Sequence, residues 1–203
     1  MKTLILVDIQ RDFLPGGALP VPRGDEIIPI VNGLLGRFDL IVATQDWHPP
    51  DHASFASAHP GKKVFETVSL GGFEQVLWPD HCIQGSRGAD FADSLNLNPV
   101  EAIFRKGTDI GIDSYSGFFD NRHLKSTGLG DYLKGRKADR VFVAGLAAEY
   151  CVYYTIMDGL DLGFEMVLIR DATRAIAEKN FELALRNIRS QGGRDILSQE
   201  IFI

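Results

Sequence analysis

Arg140-Val141-Phe142-Val143-Ala144-Gly145-Leu146-Ala147-Ala148-Glu149-Tyr150-Cys151-Val152 is the stretch on which the fold turns. Arg140 to Ala144 is a short, nearly continuous apolar run, and helical spacing takes over from Ala148 to Leu162. A strand without polar alternation that feeds a helix is expected where both faces of a parallel sheet are covered. Outward from this unit, further strands are predicted at Thr3 to Val7, Leu40 to Thr44, Ala102 to Arg105, Glu165 to Ile169 and, more weakly, Ile196 to Leu197. Helices are predicted at Asp25 to Phe38, Gly130 to Lys137 and Ala177 to Gln191, the last with Phe181, Leu185 and Ile188 on one face. The alternation predicts an α/β fold: three layers, α/β/α, with a six-stranded, mainly parallel sheet in a single domain over residues 1–203.

Apolar residues at 45% and charged residues at 24% fit an ordinary globular chain and exclude disordered and fibrous classes. The net charge of −6 disfavours nucleic acid and anionic membrane surfaces as partners. No apolar run approaches the roughly 20 residues of a membrane-spanning helix. Asp8 cuts the run Leu4 to Val7 short of a secretory leader, so a cytoplasmic location is expected. Cys82 and Cys151 are read as free thiols.

Two stretches interrupt the alternation. Pro15-Gly16-Gly17 begins a turn-rich segment after the first strand, and Asp46 to Asn98 forms a long excursion with no long periodic run. A span of that length is generally functional when it is not disordered, and Trp47, Phe55, Phe65, Phe73, Trp78 and Phe91 set its composition apart from disorder.

Ligands of open parallel sheets bind at the carboxyl ends of the strands. Asp8, Asp46 and Lys106 follow predicted strands, and Cys151 lies a few residues after another. That is the set a cysteine nucleophile needs: Asp8 as general base and acid, Lys106 and the first helical turn lowering the thiol pKa, and backbone amides holding an oxyanion. Taken singly, a cysteine after a strand is more often inert core, and an Asp there more often closes a turn. Four of the five histidines, His48, His52, His59 and His81, fall within 34 residues of the excursion. Asp46 and His48 can face one way from an extended segment, and His81 can complete a three-ligand metal site with open positions. His52 and His59 read as surface residues, with His52 or Ser54 as a weak extra ligand. Gly16-Gly17 and Gly71-Gly72 lack any phosphate-loop spacing and read as turns. Phe13, Trp78 and Tyr115 could sandwich a flat ring.

These motifs together resemble one family. Leu6 to Phe13, Gln45 to Pro49, Trp78 to Cys82, Lys106-Gly107, Asp113 to Ser116, Gly145 to Ala147 and Cys151-Val152 are similar to the nicotinamidase/pyrazinamidase branch of the isochorismatase-like cysteine hydrolases, in the family's order and over nearly the whole chain. The resemblance implies a triad of Asp8, Lys106 and Cys151. It implies one divalent ion, zinc first and iron or manganese as alternatives, on Asp46, His48 and His81. Phe13, Trp78 and Tyr115 would form the substrate pocket. A cis peptide would precede Ala147, with an oxyanion hole from the N–H groups of Ala147 and Cys151. The implied reaction takes nicotinamide, and pyrazinamide, to the acid and ammonia through a cysteine thioester, feeding NAD salvage. Small-molecule substrate is the expected partner, with a homo-oligomer left open. At one point the chain departs from the pattern: relatives commonly carry Ala-Thr-Asp where this chain has Ala147-Ala148-Glu149, which bears on how the nucleophile loop is supported. Three rivals stand beside this reading: a relative acting on isochorismate- or carbamoyl-type substrates, a metal-activated hydrolase with a structural Cys151, and a non-catalytic binding module.

Overall fold

The computed structural model describes residues 1–201. In chain order the main elements are β1 (Lys2–Val7), α1 (Ile27–Leu34), β2 (Leu40–Asp46), β3 (Thr67–Leu70), β4 (Phe73–Val76), β5 (Ala102–Lys106), α2 (Leu129–Gly135), β6 (Arg140–Gly145), α3 (Tyr153–Asp161), β7 (Glu165–Thr173), α4 (Glu178–Ser190) and β8 (Arg194–Ile196). Six strands form one sheet in the order β5-β2-β1-β6-β7-β8, with every pairing parallel. Each predicted strand is present.

The apolar runs lack alternation because both faces of the sheet are covered. Leu4 and Leu6 of β1, Ile41 and Ala43 of β2, and Phe142 and Ala144 of β6 pack on the side of α1. Their neighbours Ile5, Val7, Leu40, Val42, Val141 and Val143 pack on the opposite side, against residues of α2, α3 and α4. The sheet is thus the middle of three layers, as expected from a period-2 side-chain array buried on both sides.

Boundaries differ from the sequence reading for local reasons. The helix expected over Asp25 to Phe38 is α-helical only from Ile27 to Leu34, with tighter 3-10 turns at Gly24–Glu26 and Leu35–Arg37. Gly33 and Gly36 weaken its last turns. The helix expected from Ala148 opens with a wide π turn, Ala148–Val152, in which the Val152 N–H reaches the Ala147 carbonyl at 3.2 Å. The excursion after β2 holds one regular feature not foreseen, the antiparallel hairpin β3–β4. Its turn is Gly71-Gly72, both with positive φ, the pairing favoured for a two-residue hairpin loop.

The topology sets where ligands can sit. From β1 the chain builds outward through β2 and β5 on one side, then crosses to β6, β7 and β8 on the other. Val7 stands in register between Thr44 and Gly145, and Asp46 stands beside Lys106, so the polar residues after these strands meet at one edge. This is the crevice expected at a switch point. Gly145 closes it: its φ is +134° and a Cβ there would lie 2.0 Å from the Val7 carbonyl oxygen. Gly145→Ala is therefore expected to lower unfolding free energy by about 2 kcal/mol or more, through backbone overlap and strain. Urea denaturation checks this.

Candidate active site

Four strand ends deliver one charged cluster. Asp8, directly after β1, has φ +48° and is fully buried. Lys106, the last residue of β5, is 2% exposed and lies between the acids. Its Nζ donates to Asp46 Oδ1 at 2.6 Å, to the Ser114 carbonyl at 2.8 Å and to Cys151 Sγ at 3.4 Å, and sits 2.9 Å from Asp8 Oδ2. The other oxygen of Asp8 accepts the Thr44 hydroxyl at 2.7 Å. The structure therefore brings Asp8, Lys106 and Cys151 together.

Burial and pairing set the proton affinities. Burial alone would push the Lys106 ammonium pKa down, but Asp46 and then Asp8 outweigh it and hold it well above the usual lysine value. Burial pushes Asp46 up, and Lys106 and His48 overcome that, leaving its carboxyl well below the usual carboxylate range. Asp8 goes the other way: burial, reinforced by Asp46, raises it despite Lys106 and Thr44. The thiol differs from the expectation of a lowered pKa. Burial pushes Cys151 well above the ordinary thiol value, and Asp8 and Asp46 add to this while Lys106 opposes it. One ammonium and a helical turn do not offset two carboxylates and a buried sulfur, so this set of charges favours the neutral thiol.

Asp46 has a second role on its other oxygen. Oδ2 lies 3.4 Å from His48 Nε2 and 3.7 Å from His81 Nε2, and all three residues are buried. His48 Nδ1 is 3.0 Å from the Gly107 carbonyl and His81 Nδ1 is 2.8 Å from the Pro79 carbonyl. Carbonyls only accept, so each Nδ1 carries the hydrogen, and in the neutral imidazoles each Nε2 presents a lone pair toward Asp46. Burial lowers the proton affinity of His48 and Asp46 more than restores it, so the trio attracts positive charge, and its three ligand atoms lie within 4.8 Å of one another. The spacing suits ligands on a common divalent ion, for which bonds near 2.0 to 2.1 Å put tetrahedral ligand atoms roughly 3.3 Å apart. The residues fit a divalent metal. Gly107 makes room for this: its φ is +63°, and a Cβ would lie 2.4 Å from His48 Cε1.

His52 and Ser54 border this trio, and His52 shares a second close group with His48 and Asp113. The side chains of His52 and Ser54 bond each other at 2.7 Å, and the His52 ring packs on His48 at 4.5 Å between centroids. His52 is fully buried, contrary to the surface reading, and His59 is half-buried with Nε2 bonded to the Ala53 carbonyl at 2.8 Å.

A small cleft of about 20 Å³ lies over Cys151, closely walled by its lining side chains. Phe13, Trp78, Tyr115, Ala147, Asp46 and His81 line it. Trp78 Nε1 and Gln75 Nε2 both donate to the Tyr115 hydroxyl, at 3.2 and 3.0 Å, which fixes that wall. Leu19, Asp113, Tyr150 and Ile176 also line the cleft and were not foreseen as site residues. Tyr150 packs edge-on to Trp78 at 4.9 Å; its place next to Cys151 was the available signal. Thr44 was missed as well, although it stands two residues before Asp46 and so on the same face of β2. Gln10 clamps Asp46 by its backbone, accepting the Asp46 N–H and donating to its carbonyl, both at 2.8 Å. The peptide between Leu146 and Ala147 is cis.

Comparison with known proteins agrees with this geometry. Residues 2–200 match the isochorismatase domain. The nicotinamidase of Acinetobacter baylyi is 43% identical over 201 residues, covering 98% of this chain and 94% of that protein. A nicotinamidase/pyrazinamidase structure from Acinetobacter baumannii superposes with a TM-score of 0.96 at 44% identity, covering 99% and 98% of the two chains. The pyrazinamidase of Pyrococcus horikoshii in complex with zinc gives a TM-score of 0.80 at 40% identity, covering 97% and 98%. With its parallel sheet, its buried aspartate, lysine and cysteine, and its identity to these relatives across nearly its full length, the chain belongs to the isochorismatase family, in the nicotinamidase/pyrazinamidase branch.

Proposed function

We propose that this chain is an amidohydrolase that converts nicotinamide and water to nicotinate and ammonia, acts also on pyrazinamide, and serves NAD salvage. One observation carries the reading: a single buried ammonium lies 2.9 Å from the Asp8 carboxylate and 3.4 Å from Cys151 Sγ, with that sulfur lining a cleft walled by aromatic rings.

The residues act in a fixed order. The ring lies between the side chains of Phe13, Trp78 and Tyr115, which places the carboxamide carbon over Cys151. Asp8 takes the thiol proton as the sulfur attacks, so the thiolate exists only when a carbon is there to receive it. Burial raises the proton affinity of both Cys151 and Asp8, which accords with a proton passing between them during attack. The N–H groups of Ala147 and Cys151 hold the oxygen as it becomes negative. Asp8 then protonates the departing nitrogen, the C–N bond breaks, ammonia leaves, and the acyl group remains on sulfur as a thioester. Asp8 next takes a proton from water, the hydroxide adds to the thioester carbon, and the C–S bond breaks. The acid is released and the sulfur regains its proton. Lys106 is the cation nearest both proton-exchanging groups, 2.9 Å from Asp8 and 3.4 Å from Cys151 Sγ, and offsets part of the negative charge as it moves between them.

Asp46, His48 and His81 would hold the divalent ion, zinc in the first instance. When bound, the ion acts as a Lewis acid toward the ring nitrogen and orients the substrate. Among the described residues no helix is long and apolar enough to cross a membrane. We place the reaction in the cytoplasm.

Cys151→Ala is expected to reduce ammonia release from nicotinamide at least 1,000-fold, roughly the loss seen when a nucleophile is removed from a covalent hydrolase. A coupled ammonia assay checks this, and retention of a substantial fraction of activity would make Cys151 structural. Chelation should depress the same activity and a divalent ion restore it; indifference to the chelator counts against Asp46, His48 and His81 as ligands.

A further inference from the structure

Glu149 is a buried acid that the chemistry above leaves unused. Its carboxylate bridges two segments. Oε1 accepts the Ala177 N–H at 2.7 Å and Oε2 accepts the Ile176 N–H at 3.1 Å. A backbone bond from the Ala148 N–H to the Arg174 carbonyl, 2.8 Å, joins the same two stretches. The turn that carries Cys151 is thereby stitched to the strand-to-helix link between β7 and α4. Ile176 is half-buried, and it lines the cleft together with Ala147 and Cys151.

Two readings of Glu149 are physically available. It could merely cap α4, since Ala177 is the residue before that helix and a carboxylate near a helix N-terminus is stabilising. Yet one of its two bonds goes to the amide of Ile176 itself, a residue that lines the cleft over Cys151. A charge-assisted pair of bonds on adjacent amides holds that backbone in place better than a single neutral bond. Resting on the amidase reading, we propose that Glu149 is a positioning residue: by fixing the 176–177 backbone it holds Ile176 against the cleft, and so limits the substrates to flat heteroaromatic carboxamides without a substituent on the ring edge that meets Ile176.

The comparison that tests this is a selectivity ratio. Turnover and affinity are measured for nicotinamide, 5-methylnicotinamide and 6-methylnicotinamide with the wild type, Ile176→Ala, Glu149→Ala, Glu149→Gln and the Ile176→Ala/Glu149→Ala double variant. A loss of kcat common to both substrates cancels in the ratio of kcat/KM values, so a purely structural role for Glu149 leaves the ratio unmoved. Ile176→Ala is expected to raise the methylated-to-parent ratio about 10-fold or more for one isomer, the discrimination one methyl group commands in an apolar pocket. Glu149→Ala should shift the same isomer in the same direction, mainly through KM. The double variant should exceed Ile176→Ala alone by less than about 2-fold, since both changes act through one wall. Glu149→Gln keeps one acceptor oxygen and should give a smaller shift in the same direction; it carries the comparison if Glu149→Ala does not fold. An unchanged ratio in the Glu149 variants, or effects that multiply in the double variant, would overturn the proposal. Wild-type protein that releases no ammonia, while the ratio of dissociation constants still shifts across the variants in this pattern, would overturn the amidase reading and support the role of Glu149.

Discussion

A lysine ammonium is among the groups least tolerated in a protein interior, and here Lys106 is almost completely buried between two carboxylates. Either partner without the other would carry a penalty of several kcal/mol, because a lone buried charge is far more expensive than a satisfied pair. The arrangement depends on the sheet. Parallel register puts Asp46 beside Lys106, and the end of β1 delivers Asp8 to the same edge. The fold supplies the alignment, and the alignment makes the charge tolerable.

Asp46 joins the two halves of the site. Oδ1 receives the ammonium while Oδ2 faces the two histidine nitrogens, so one carboxylate serves both the acid–base cluster and the metal position. That explains the effort spent on holding it, with Gln10 bonded to both polar atoms of its backbone. A displacement of Asp46 would alter ion binding and the charge on Lys106 together. The carbonyls of Gly107 and Pro79 do the corresponding work for the imidazoles, deciding which nitrogen faces inward.

Much of this was legible in the amino-acid order because strands buried on both faces write themselves as continuous aliphatic runs, and the residues that end those runs must lie at one edge. Asp8, Asp46 and Lys106 were found that way. The hairpin β3–β4 was not, since its strands are only four residues each and half of those residues are exposed, too short a run for the Val68 and Leu70 face to stand out. Thr44 hid inside an apolar strand, and Ile176 and Tyr150 belong to segments whose apolar residues read equally well as core. The proton affinity of Cys151 could not be read from order at all: it depends on how many carboxylates share the burial with one ammonium. Glu149 was visible only as a departure, and its two amide partners come from a link 27 and 28 residues further along the chain.

The central claim is that Lys106 is the counter-charge that lets Asp8 and Asp46 be buried. Urea unfolding of wild type and Lys106→Met, compared at pH 7 and pH 5 with chelator present, tests it most directly. Without the ammonium both carboxylates have raised proton affinity in the folded state, so the folded variant binds more protons than the unfolded chain and gains stability as pH falls. The account predicts a deficit of about 3 to 5 kcal/mol at pH 7 that narrows clearly at pH 5. A variant as stable as wild type at pH 7, or an equal deficit at both pH values, would contradict it.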